Sequence, residues 1–91
     1  GNVAMVGEYF LRRLVEIKEK HQNIREIRGK GLLIGMEMEG EVAGIIARCM
    51  EQGLLVASAG PNVLRFVPPL VVSRADVDRA VAILDEVLEE K

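Results

Sequence analysis

The segment Leu32-Leu33-Ile34-Gly35-Met36-Glu37-Met38-Glu39 constrains the fold more than any other stretch of the chain. Successive side chains of a strand point to opposite faces of a sheet. Read as a strand, this segment puts Leu32, Ile34, Met36 and Met38 on one face, and Leu33, Gly35, Glu37 and Glu39 on the other. The first face is uniformly apolar and has to be covered. The second carries charge and a glycine. A sheet built around this strand therefore takes helices on one face. Its other face is solvated, or is covered by something that these residues do not include.

The flanking periodicities supply the helices. Val3, Val6, Phe10, Leu14 and Ile17 recur at helical spacing, which predicts a first helix over residues 2–20 with Lys18, Lys20 and His21 at its carbonyl end. Ile24 to Arg28 reads as a short strand, and Gly29-Lys30-Gly31 as a flexible turn into the strand above. Residues 41–52 read as a second helix, with Val42, Ile45, Ile46 and Cys49 on one side and Gly53 as a left-handed cap. Leu54 to Ala57 is expected to be a strand, Ser58 to Asn62 a loop, and Val63 to Val67 another strand, halted by Pro68-Pro69. Ser73-Arg74-Ala75-Asp76 has the form of a capping box. After it Val77, Ala80, Val81, Leu84, Val87 and Leu88 form the apolar stripe of a last helix. The order helix, two strands, helix, two strands, helix predicts an α+β fold. Its architecture is a two-layer sandwich, a mostly antiparallel sheet of three to four strands with helices on one face.

One charge sits oddly in this scheme. Arg65 lies inside Asn62-Val63-Leu64-Arg65-Phe66-Val67-Pro68-Pro69-Leu70, an apolar strand. Arginines are almost never fully buried unless paired. Alternation assigns Leu64 and Phe66 to the helix side and Val63, Arg65 and Val67 to the opposite side. The guanidinium fork suits bidentate capture of a carboxylate or phosphate. Arg65 is therefore either a salt-bridge or edge-strand arginine, or an anion-binding one.

The totals narrow the partners. Ninety-one residues make a single small domain, and a net charge of −2 lacks the basic footprint of a nucleic-acid binder. Tyr9, Phe10 and Phe66 are the only aromatics, too few for a base-stacking platform. No apolar run approaches the ~20 residues that span a bilayer. Gly1-Asn2-Val3 opens directly into helical pattern, so no secretory leader is expected. The lone Cys49 fits a reducing, cytoplasmic setting. A start without methionine, inside a helix, is expected of a domain excised from a longer protein.

Other candidate residues read more simply as structure. Arg28-Gly29-Lys30-Gly31 does not match a phosphate-binding loop. Lys30 has no apolar pocket in its local sequence to lower its pKa for Schiff-base chemistry. His21 is expected to be solvated, Cys49 packed and inert, and Ser73 a cap. Glu37 and Glu39 are expected on a solvated face rather than as an acid/base pair. No clustered metal ligands are expected, and no nucleophile, base and oxyanion donor can be assembled into a catalytic set.

Two segments together carry a family resemblance. Ile24-Arg25-Glu26-Ile27-Arg28-Gly29-Lys30-Gly31-Leu32-Leu33-Ile34-Gly35-Met36-Glu37 resembles the start of the C-terminal small domain of class III pyridoxal-phosphate aminotransferases. Asn62 to Leu70, followed by a Ser-capped helix, resembles the later part of the same domain. The similarity runs along essentially the whole chain and is nearest in flavour to the acetylornithine and ornithine aminotransferases. The Leu-Arg-Phe-x-Pro-Pro-Leu segment is its more specific part.

The resemblance implies that Arg65 binds the substrate carboxylate. It further implies that residues 1–91 are a small domain whose large, cofactor-binding domain is absent. The parent would be a cytoplasmic aminotransferase of amino-acid biosynthesis, a homodimer. It would move an amino group from N-acetylornithine or ornithine to a 2-oxo acid. The Schiff-base lysine and the other pyridoxal-phosphate ligands would belong to the large domain, so this fragment alone is expected neither to bind the cofactor nor to turn over. The alternative is a stand-alone regulatory or interaction domain whose uncovered sheet face binds a small acid or a partner strand.

Overall fold

The computed structural model describes residues 2–30, 33–66 and 73–89. In order it contains α1 (Asn2–Lys20), β1 (Ile24–Lys30), β2 (Leu33–Met38), α2 (Ala43–Glu51), β3 (Val56–Ser58), β4 (Val63–Phe66) and α3 (Arg74–Glu89). The strands form a four-stranded antiparallel sheet in the order β1-β2-β4-β3. The helices pack together on one face of it, giving the α+β sandwich that the alternation demands.

The core lies between these layers. Ile34, Met36 and Met38 of β2 are buried, as are Leu64 and Phe66 of β4, against Phe10, Leu14 and Ile17 of α1. All six stripe residues of α3, from Val77 to Leu88, are buried as well. Ser73 caps that helix, its Oγ accepting the Asp76 amide at 3.2 Å.

Three local readings change. Gly29 and Lys30 belong to β1, paired with Ile34 and Leu33, and are not a free turn. Among the described residues the positive-φ glycines are Gly53 and Gly60, and Gly29 is not one of them. Gly29 instead permits a close approach: a Cβ there would lie 2.8 Å from Ile34 Cγ1 and 2.9 Å from Leu11 Cδ2. The second helix begins at Ala43, with the buried Val42 at its N-cap.

Leu54, expected in a strand, ends the second helix instead. Its amide donates to Cys49 O at 2.9 Å while the Gly53 amide donates to Met50 O at 3.0 Å. This is the paired bonding of a Schellman motif, with Gly53 at φ +91 in the left-handed position and Leu54 as the buried hydrophobic contact. The strand therefore starts later, at Val56. Gly31, Leu32 and the Val67 to Leu70 part of the arginine motif lie outside the described residues.

Candidate functional site

β4 alternates as its sequence requires. Leu64 and Phe66 are buried, Val63 is half-buried and Arg65 is exposed, on the face away from the helices. There Arg65 borders an open hollow of about 440 Å³, lined also by Arg28, Gly29, Ile34, Gly35, Ala59 and Val63. Among the described residues Arg65 makes no hydrogen bond and no ion pair. Of the two sequence readings, the salt-bridged arginine therefore finds no carboxylate here.

Arg28, on the same hollow, is in the opposite condition. Its Nη2 donates to Glu26 at 2.7 Å and to Glu37 at 3.3 Å. That hydrogen bond to Arg28 holds the Glu26 carboxyl below its usual range, and the same pairing raises Arg28. Glu37 is thus a structural counter-charge to an arginine. Glu39 is exposed and takes no part.

One residue is placed differently from expectation. His21 is not solvated: its side chain is 9 % exposed, and Nε2 lies 2.7 Å from Asp85 Oδ1. The other oxygen of Asp85 accepts from Lys20 Nζ, also at 2.7 Å. The bond from Lys20, then that from His21, draws the Asp85 carboxyl below the ordinary range. Ligand atoms of His21, Asp85 and Glu89 lie within 4.8 Å of one another, so metal-type side chains do cluster, contrary to the sequence reading. Both Asp85 oxygens are already engaged, one by an ammonium. The group is an ion-pair clamp between the end of α1 and α3.

A second clamp escaped the sequence. Arg13 Nη1 donates to Tyr9 Oη at 2.9 Å and to Asp78 Oδ1 at 2.6 Å, and the Tyr9 hydroxyl also donates to Asp78. Arg74 stacks over the Tyr9 ring, 4.8 Å from its centroid. The i,i+4 spacing of Tyr9 and Arg13 was the visible signal; the partners on α3 were not. Cys49 is fully buried, and that burial pushes its thiol pKa up, so it is packed and unreactive as expected.

Among the described residues, no lysine side chain lines the hollow beside Arg65. The described lysine side chains, Lys18 and Lys20, are on α1, on the helix side of the sheet, and Lys20 is tied to Asp85. Among the described residues no helix is long and apolar enough to cross a membrane.

The family profile described as Aminotransferase class-III matches residues 1–88. An acetylornithine aminotransferase of Caldanaerobacter subterraneus subsp. tengcongensis is 48% identical over 85 residues, which is 92% of this chain and 22% of that protein. One from Methanocaldococcus jannaschii is 43% identical over 84 residues, 92% of this chain and 21% of that protein. Among solved structures, ornithine delta-aminotransferase of Plasmodium falciparum superposes with a TM-score of 0.87 at 30% identity, covering 97% of this chain and 24% of that one. N-acetylornithine aminotransferase from Stenotrophomonas maltophilia K279a gives 0.83 at 32% identity, covering 97% and 25%. This chain thus spans about a fifth of the length of the curated relatives it matches. Its residues from one end of the sandwich to the other follow one family pattern, and the chain belongs to the class-III aminotransferases, a family that works with pyridoxal phosphate.

Proposed function

We propose that this chain is the C-terminal small domain of an aminotransferase of the acetylornithine and ornithine group, and that Arg65 receives the substrate carboxylate. The observation that carries the reading is the state of Arg65. It is an arginine on the uncovered face, without a partner among the described residues, opening onto a hollow. A fixed charge of this kind attracts an anion, and a guanidinium can hold both carboxylate oxygens at once. The relatives named above bear the name acetylornithine aminotransferase, which favours N-acetylornithine or ornithine as amino donor and a 2-oxo acid as acceptor.

In this reading the cofactor, its lysine and the dimer contacts belong to a large domain elsewhere in a longer cytoplasmic enzyme of arginine biosynthesis. The share of the present residues is positioning. Holding a substrate by its carboxylate turns encounter into orientation, which can remove several kcal/mol of barrier.

The test is Arg65→Ala and Arg65→Lys in the full-length aminotransferase, with steady-state kinetics and bound-cofactor absorbance measured side by side. The expected result is a KM for the carboxylate-bearing donor raised by about ten- to a hundredfold, the loss of one or both charge-assisted bonds. Cofactor absorbance should stay unchanged. Unaltered use of carboxylate substrates by Arg65→Ala removes Arg65 from the site.

A further inference from the structure

The strand register places a glycine between two arginines. Arg28 of β1 pairs with Gly35 of β2, and Gly35 pairs in turn with Arg65 of β4. The three residues form one row across the sheet, on the face opposite buried Ile34 and Met36. With strands 4.7–4.9 Å apart, the two arginine Cα atoms stand about 10 Å from each other. The only position between their stems carries no side chain.

The fold does not require that glycine. Gly35 is not among the positive-φ residues, so its backbone conformation is open to any residue. Nor, among the described residues, does it let another element approach. A Cβ at Gly35 would meet Leu64 O at 3.6 Å and Val63 Cγ1 at 3.7 Å, which are ordinary contacts. Gly29, on the opposite face, is the contrast, because a Cβ there collides. A glycine within a strand weakens it and commonly marks the close approach of a ligand or another backbone. What Gly35 provides is the open floor of the hollow beside Arg65.

Charge states what fits there. Glu26 and Glu37 neutralise Arg28, whereas nothing described neutralises Arg65. The row therefore offers one uncommitted cation, with an already compensated arginine as the far wall. Ala59 and Val63 give the hollow apolar sides.

We propose that Gly35 is the specificity-determining residue of this site: the gap it leaves between Arg28 and Arg65 is the slot for a single flat carboxylate, with the carbon that bears it lying over the glycine. The inference rests on the reading of Arg65 as the carboxylate-binding residue and adds a steric limit to it. A side chain at position 35 stands where the carboxylate has to lie.

Gly35→Ala and Gly35→Val in the full-length aminotransferase test this, assayed beside Arg65→Lys with thermal unfolding recorded for each. The expected result is a graded rise in KM for the carboxylate-bearing donor, about tenfold for Ala and about a hundredfold for Val, as one and then both charge-assisted bonds to Arg65 are displaced. The kcat of the Ala variant should stay within about twofold of wild type, and its Tm should not fall, since a strand glycine is being replaced. If Arg65→Lys raises KM but neither Gly35 variant does, the slot is refuted while the role of Arg65 stands. If none of the three changes KM, both fall. If Gly35→Ala lowers Tm or cofactor content with KM unchanged, the glycine serves packing against another part of the enzyme, and the proposal is overturned.

Discussion

The ring of Phe10 on α1 meets the ring of Phe66 on β4 edge-on, with centroids 5.1 Å apart and planes at 70°. This contact fixes which way β4 faces. Phe66 and Leu64 are drawn into the core, and alternation then turns Arg65 outward. The direction of Arg65 is a consequence of the aromatic pair behind it.

Phe66→Ala should therefore be costly to the fold. Large-to-small changes at a buried phenylalanine remove about 3–5 kcal/mol, and an edge-to-face pair is worth about 0.5–1.5 kcal/mol beyond its area burial. Domains have only about 5–15 kcal/mol in total. Urea unfolding should show a much lower midpoint for Phe66→Ala, and a smaller loss for Phe66→Leu. A loss below about 1 kcal/mol for the alanine variant would mean that the cavity collapses or that β4 is held by its ladder alone.

The same sheet carries two glycines with opposite expected responses. Gly29→Ala drives a Cβ to 2.8 Å from Ile34 Cγ1 and 2.9 Å from Leu11 Cδ2. Leu11 is half-buried and its methyl can swing away, but Ile34 is 1 % exposed and held on all sides. Overpacking of this kind costs about 1–3 kcal/mol. Gly29→Ala should thus lower the unfolding midpoint, while Gly35→Ala should not. Equal effects at the two positions would contradict the placement of α1 over β1.

The distinction between these glycines was not legible in the sequence. Both lie in Arg28-Gly29-Lys30-Gly31-Leu32-Leu33-Ile34-Gly35, and local chemistry suggested a turn for the first and only a strand position for the second. What separates them is which side chains a Cβ would meet: at Gly29 these are Ile34, its partner across the ladder, and Leu11, eighteen residues earlier on another element. His21 failed for the same reason: its partner Asp85 is 64 residues away. Leu54 was apolar and next to a strand, so the strand reading was natural, yet the glycine before it made it the closing residue of a helix cap. By contrast α1, the stripe of α3 and the outward face of Arg65 follow from periodicity alone, because burial on one side is decided by spacing. The role proposed for Arg65 rests on the family resemblance as well, since an outward arginine in a strand is compatible with either a ligand or solvent.

Asp85 makes the stability of the helix layer depend on pH in a stated direction. Its carboxyl is held below the ordinary range, first by the bond from Lys20 and then by that from His21, so its folded pKa is lower than its unfolded one. A group of this kind stabilises fully above its unfolded pKa, about 3.9 for aspartate, and loses that contribution as pH falls through the folded value. Asp85→Asn should therefore be less stable than wild type at pH 7, by about 1 kcal/mol, the upper end for a pair whose lysine is half exposed. The gap should narrow below about pH 4 and close once the wild-type carboxyl is itself protonated. Other carboxylates, Glu26 among them, titrate in both proteins and cancel from the difference. Urea midpoints for the two proteins from pH 7 to pH 2 measure it. A gap that stays constant over that whole range would show that the ionised carboxylate contributes nothing, and that Asp85 joins α1 to α3 by shape alone.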